Sequence, residues 1–263
     1  MKPLYILCTL ACVITVILLC TTLGTSWYQC IRKEQPTDTH GKVVLLFDIH
    51  EVLVHKPKKS IFTKLFAVRN KLRCAKELAQ CLFNKKVRTH LVKQARNKNK
   101  VTESYFKVLK EENFPTLYEG CMNYATDIYA EPVPGMTALL QELKQQGCRL
   151  YLFSNIGPEL LERLAQRFPE TFSYFADAQG VVKNTINNDL HQSSTDSWIG
   201  KPHPDAYATA LKNTGVEKPS QVFFIDDKVE NVKAACKAGM NGITFTDVAR
   251  LRTILKENGL QLS

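Results

Sequence analysis

Four short apolar runs alternate with helical patterns along this chain, and that alternation narrows its fold more than any other feature. The runs are residues 43–47 (VVLLF), 149–153 (RLYLF), 222–225 (VFFI) and 242–245 (GITF). Short apolar runs of this kind fit strands buried on both faces. The helical patterns between and after them have recognisable ends. In residues 134–147 (PGMTALLQELKQQG), Pro134 suits a first turn, Met136, Leu139, Leu140 and Leu143 line one face, and Gly147 suits the stop. The same grammar recurs at 158–168, at 204–214 ending at Gly215, and at 229–238 ending at Gly239. Strands alternating with helices of this length predict an α/β fold, a Rossmann-like parallel sheet covered on both faces and joined by right-handed crossovers.

Residues 55–131 break the alternation and read as several basic amphipathic helices. Ile61, Phe62, Leu65 and Phe66 form one apolar stripe, and Leu78, Cys81 and Leu82 another. Composition sharpens the division. The chain carries a formal net charge of +10, yet residues 56–110 hold seventeen Lys and Arg against two acids, Glu77 and Glu103, so everything else sums to about −5. A mildly acidic body therefore carries a strongly basic middle. The expected organisation is residues 41–54 and 132–263 as the α/β core, with residues 55–131 as an inserted helical lobe above the carboxyl edge of the sheet. Residues 180–199, rich in Asn, Ser and Thr, read as a loop.

Residues 4–23 contain no charged side chain and are long enough for a helix to cross a bilayer, so residues 1–31 read as a transmembrane anchor or a signal peptide. The basic excess farther along favours a membrane-anchored protein with a cytoplasmic body, and export after signal cleavage is the alternative. Of the nine cysteines, Cys8, Cys12 and Cys20 lie in the apolar segment, and no CxxC pair occurs among the other six. Cys148 and Cys236 fall in core patterns, which points to reduced thiols and no zinc site, although six cysteines leave disulfides open for an exported body.

Polar residues at the strand ends turn the architecture into a functional expectation. Asp48 directly follows the first run, Ser154 the second, and Asp226 and Asp227 the third. In an open parallel sheet that carboxyl edge is where ligands bind. Lys201, in a Gly-Lys-Pro-His-Pro loop, leads into the helix before the third run and could reach the same edge. Four motifs in this order, VVLLFDIHEVLV, RLYLFSN, GKPHPDAY and VFFIDDKVENVKAACKAGM, with VPGMTALLQELKQQG in support, resemble the haloacid dehalogenase superfamily over residues 42–54 and 133–245. The lobe stands where one large branch of that superfamily carries a helical cap.

The resemblance implies Mg2+-dependent cleavage of a phosphomonoester, a phosphorylated small molecule, through an aspartyl-phosphate. Asp48 would be the nucleophile, and Asp48, Asp227, Asp226 and the His50 carbonyl would hold Mg2+. Ser154, the Asn155 backbone and Lys201 would bind the phosphoryl oxygens, and Lys201 could keep Asp48 ionised. One position departs from the pattern. Phosphatases of the superfamily place an acid-base Asp two residues after the nucleophile, and here that residue is His50. Imidazole transfers protons near neutral pH, so three outcomes stay open: a working phosphatase, a slow one, or a fold retained to bind an anionic partner or membrane through its basic lobe. Carbon–halogen chemistry is disfavoured by the paired Asp226 and Asp227.

Each residue also has a plainer reading. Asp227 with Glu230 fits a capping box, Ser154 could cap the helix near Pro158, and Asp48 could cap a turn. His55, His90 and His191 show no ligand spacing, while His203 could shape the Lys201 loop. The basic stretch could be a solvated helix face, and nucleic acid is not expected because no aromatic platform accompanies it.

Overall fold

Alternation of side chains across a pleated strand decides how the central sheet is covered. In this computed structural model, which describes residues 28–32, 43–55, 71–96, 106–127, 131–177, 182, 185 and 199–263, the sheet runs β1-β7-β6-β2-β5. Its strands are β1 (Gln29–Cys30), β2 (Val44–Phe47), β5 (Arg149–Leu152), β6 (Val222–Asp226) and β7 (Asn241–Thr244). Leu45 and Phe47 join one apolar cluster with Leu150, Leu152, Phe223 and Ile225. Val44 and Leu46 join the other with Val222 and Phe224. Both faces are thus buried, which explains why the runs read as continuously apolar rather than alternating.

The first cluster is completed by α5 (Met136–Gln145), α6 (Pro158–Arg167) and α10 (Val248–Glu257), through Leu139, Leu140, Leu143, Leu160, Leu164, Leu251 and Leu255. On the other face lie α8 (Pro204–Thr214) and α9 (Val229–Lys237), with Tyr207, Ala210 and Ala235 against Phe153 and Phe224. The four expected strands and four expected helices are all present, with ends displaced by one or two residues. The helix α10 and a short helix at Pro169–Phe172, α7, were not foreseen.

Between β3 (Val54–His55) and β4 (Glu131–Pro132), which pair antiparallel as a separate ribbon, stand the helices α1 (Lys71–Phe83), α2 (Lys85–Arg96), α3 (Lys107–Glu111) and α4 (Pro115–Asp127). Of the Leu78, Cys81 and Leu82 stripe on α1, Cys81 is buried in the core cluster and the two leucines are half-buried, whereas the stripe at 61–66 lies outside the described residues. Glu77, one of the two acids of the basic segment, is buried and accepts from the Leu117 N–H at the start of α4 at 2.8 Å. Tyr118, Met122 and Ala125 of α4 continue the same apolar cluster that covers the sheet. A polar seam closes α4 on α6: Arg163 donates to both carboxylate oxygens of Glu119 at 2.9 Å and to Asn123 and Glu159. Tyr118 donates to Glu159 at 2.7 Å.

Two expectations are corrected. The sheet is not purely parallel, because β1 adds antiparallel to the edge strand β7, a two-residue element too short for any periodicity to reveal. That pairing lays Cys30 over α9, where it forms a disulfide with Cys236, so Cys236 is not the reduced core thiol expected for it. Cys81 and Cys148 remain thiols. Gly242 on β7 is where this layer comes closest: a Cβ there would lie 2.7 Å from Cys236 Sγ and 2.8 Å from Val232 Cγ1. The apolar residues 4–23 lie outside the described residues, among which no helix is long and apolar enough to cross a membrane.

Candidate active site

Hydrogen bonds between neighbouring strands carry the chain past their carboxyl ends in register. The Asp48 N–H donates to Ile225 O at 2.9 Å, and the Phe153 N–H donates to Phe47 O at 2.8 Å. The residues after β2 and β5 and the last residue of β6 therefore stand side by side, with β5 and β6 flanking β2, where strand order reverses and a parallel sheet opens a crevice. Residues 49–54 turn back at once after Asp48, with the N–H groups of Val52, Leu53 and Val54 all directed at Ile49 O and Glu51 in the left-handed region at φ 62°. This turn holds His50, half-buried, beside the crevice.

Lys201 is the cation at the centre. Its side chain is 1% exposed, and Nζ donates to Asp226 Oδ2 at 2.6 Å and to Phe153 O at 2.6 Å, with Asp48 Oδ1 at 3.0 Å. The rings of Phe153 and Phe224 each lie 5.2 Å from the ammonium, a distance at which the ring face favours a cation. Burial opposes charge on Asp48, but Lys201, His50, the Ser154 hydroxyl and Lys228 outweigh it and hold the Asp48 carboxyl below its usual range. Burial likewise opposes the Lys201 ammonium, and Asp226 and Asp48 raise its pKa in spite of it. The nucleophile candidate is thus kept ionised in a site from which water is largely removed.

Asp226 has its oxygens occupied. Besides Lys201, it accepts from the Lys228 N–H at 2.8 Å and from Asn231 Nδ2 at 3.0 Å on both oxygens. Asp227 is different: its Oδ1 is buried with no hydrogen-bond partner. Burial, followed by the charges of Asp226 and Asp48, pushes its carboxyl up to about 7. Asp48, Asp226 and Asp227 each place one carboxylate oxygen within 4.8 Å of the others. An all-oxygen set containing an orphaned carboxylate oxygen suits a hard divalent cation and is costly without one.

All seven residues expected from sequence lie at this edge, and the plainer readings of three of them do not hold. The helix α9 has Lys228 as its N-cap and no side-chain cap, so Asp227 and Glu230 form no capping box. The N-cap of α6 is Gly157, not Ser154, which is 1% exposed and bonds to Asp48. Asp48 turns its carboxylate to Lys201 rather than to a turn amide. His203 accepts the Asp205 N–H and so caps the start of α8, whereas His191 lies outside the described residues. Reading the sequence missed Asn231, which grips Asp226, and Tyr207, whose hydroxyl donates to Asn231 O at 2.8 Å. The available signal was one polar residue on the buried face of α9.

A family model described as haloacid dehalogenase-like hydrolase matches residues 42–239. A sesquiterpene phosphatase of Aspergillus oryzae is 30% identical over 116 residues, 44% of this chain and 52% of that relative, so the chain spans about half its length. Flavin mononucleotide hydrolase 1 of Arabidopsis thaliana, a chloroplast protein, is 25% identical over 228 residues, covering 84% of this chain and 79% of the relative. Among solved structures, a family enzyme of Bacteroides thetaiotaomicron in complex with magnesium and inorganic phosphate is 17% identical, with a TM-score of 0.49 over 79% of this chain and 96% of that one.

Proposed function

The chain belongs to the haloacid dehalogenase-like hydrolase family, and from that premise we propose that it is a Mg2+-dependent phosphatase cleaving a phosphomonoester of a small molecule through an aspartyl-phosphate on Asp48. The observation that carries this reading is the meeting of Asp48, Asp226 and Asp227 within 4.8 Å around a buried ammonium at the carboxyl edge of the sheet. One relative is a phosphatase and another a hydrolase of flavin mononucleotide by name, which supports the same reaction class.

Asp48 and Asp227 would hold the cation, with the His50 carbonyl and with Asp226, whose oxygens already accept from Asn231, Lys228 and Lys201, in support. When bound, Mg2+ offsets the repulsion between carboxylate and phosphate. The rest of the work belongs to the chain. An Asp48 oxygen attacks phosphorus and the ester P–O bond breaks, with the leaving oxygen taking a proton from His50. Neutral His50 then takes a proton from water, whose oxygen attacks the aspartyl-phosphate and frees inorganic phosphate and Asp48. Ser154, the Asn155 N–H and Lys201 hold the equatorial oxygens as charge builds. Residues 55–131 form a basic cap that draws in an anionic substrate, and the core comprises residues 41–54 and 132–263.

His50→Ala should lower kcat by about 10²- to 10⁴-fold, while His50→Asp should leave it equal or higher. A tenfold or greater fall in His50→Asp would mean that imidazole itself is required. The cation site has its own test, independent of turnover. The folded pKa of Asp227, about 7 against an ordinary 3.8, is raised, so the folded state binds this proton more tightly than the unfolded state. Its contribution to stability is then present at low pH and lost as pH rises to about 7. A cation must displace the same proton. Mg2+ should therefore raise the melting temperature of the full chain more at pH 8 than at pH 6, and a shift independent of pH would remove Asp227 from the site.

The Cys30–Cys236 bridge favours the exported alternative over a cytoplasmic body, since structural disulfides persist in oxidising compartments. It closes a loop of 206 residues, for which loss of a native bridge costs about 2–5 kcal/mol. Cys30→Ser should lower the unfolding free energy in urea by that amount, and complete alkylation of both thiols in protein taken directly from its native compartment would oppose export.

A further inference from the structure

The Asn155 side chain makes contacts that its backbone role as a phosphate ligand does not need. Its Nδ2 donates to Lys201 O at 2.8 Å, and its Oδ1 accepts the Lys201 N–H at 2.8 Å. A carboxamide presents one donor and one acceptor side by side, as a peptide group does, so it pairs with both backbone groups of a single residue 46 positions away. The approach is close: a Cβ on Gly200 would lie 2.6 Å from Asn155 Oδ1 and 3.0 Å from Nδ2. Gly200 is not in the positive-φ region, so space for the carboxamide, rather than backbone conformation, is the reason for a glycine there. Beyond this pair the chain coils directly into α8, with the His203 N–H on Gly200 O at 3.0 Å.

Lysine is a point charge on a four-carbon stem, and its ammonium is placed only as well as its Cα. Here that Cα is held on both sides by Asn155, beyond the end of β5, while Nζ reaches Asp48 just after β2 and Asp226 at the end of β6. We propose that the Asn155 carboxamide is a positioning residue that sets the Lys201 ammonium against Asp48 and Asp226, with Gly200 as the space it requires. The catalytic consequence rests on the phosphatase reading above, whereas the contact itself does not. Asp at position 155 would keep the acceptor for the Lys201 N–H but would turn a carboxylate oxygen toward Lys201 O, so it is not a conservative replacement.

The test compares the full chain with Asn155→Ala, Asn155→Asp, Gly200→Ala and the Asn155→Ala/Gly200→Ala pair. Amide hydrogen exchange across residues 199–207 reads the contact, and kcat and KM for an aryl phosphate at saturating Mg2+ read its consequence. In Asn155→Ala the Lys201 amide should exchange at least about tenfold faster. Its kcat should fall about 10- to 100-fold, the cost of a misplaced catalytic group, with KM changed less than about threefold because the ammonium acts on charge that develops in the transition state. Gly200→Ala should behave alike, and the pair should be no slower than the slower single variant, since both act through one contact. Unchanged exchange in Asn155→Ala overturns the proposal. So does faster exchange or a lower melting temperature with unchanged kcat, which is the behaviour of a purely structural staple. A parent chain without any phosphatase activity removes the reading of the previous subsection, and the exchange result then decides the positioning on its own.

Discussion

Asp48→Asn in the full chain is expected to abolish Mg2+-dependent hydrolysis of an aryl phosphate, leaving turnover at least about 10⁴-fold below the parent. An amide has the shape of the carboxylate but not its nucleophilic oxygen, so the effect falls on chemistry rather than on packing. Folding should survive the change. Lys201 keeps its shorter contact, 2.6 Å to Asp226, after losing the charge of its 3.0 Å partner. Removing the Asp48 charge also relieves one of the two anions that raise the Asp227 carboxyl. Phosphate release under single-turnover conditions, alongside a melting curve, separates the two effects. Turnover equal to the parent in a folded Asp48→Asn protein would move the reaction away from this carboxylate and end the aspartyl-phosphate mechanism.

Lys201→Met should damage both stability and activity. The parent buries one ammonium between two carboxylates that are themselves 9% and 0% exposed. Methionine restores the stem volume but leaves those anions facing each other across the sheet end. Removing one partner of a buried pair costs about 3–5 kcal/mol, because the remaining charge is left without compensation. The metal-free variant should therefore unfold at markedly lower urea concentration, and lowering the pH should recover part of the loss by protonating the carboxylates. The kcat should drop by about 10²- to 10³-fold, the usual cost of one donor to developing charge. A variant whose stability and kcat both lie within experimental error of the parent would show that Lys201 is a bystander.

Much of the core could be read from residue order. The runs 43–47, 149–153, 222–225 and 242–245 all appear as strands within one or two residues, because a strand buried on both faces must be apolar throughout, and that pattern is local. The helices α5, α6, α8 and α9 were legible through Pro near the starts of the first three and Gly after the ends of α5, α8 and α9. β1 was invisible: Gln29 and Cys30 form a strand only because β7 presents an open edge, and an edge is a property of the assembled sheet. The bridge to Cys236 follows from that pairing and could not precede it. Asn231 was passed over because one polar residue on an apolar helix face carries no signal until its partner, Asp226, is seen opposite.

By itself the order of residues determined the α/β class, the basic insertion and the identity of the polar groups at three strand ends, since hydrophobic periodicity and end signals act over a few neighbours. Only the tertiary structure decided which of those groups share charge. Lys201 lies 25 positions from Asp226 and far from Asp48 along the chain, yet one ammonium serves both, because parallel pairing places β2 between β5 and β6. It also decided that Asp226 is saturated by Asn231 and Lys201 while Asp227 keeps a buried oxygen without a donor. Burial and distance set that difference, and neither quantity exists before the strands are side by side.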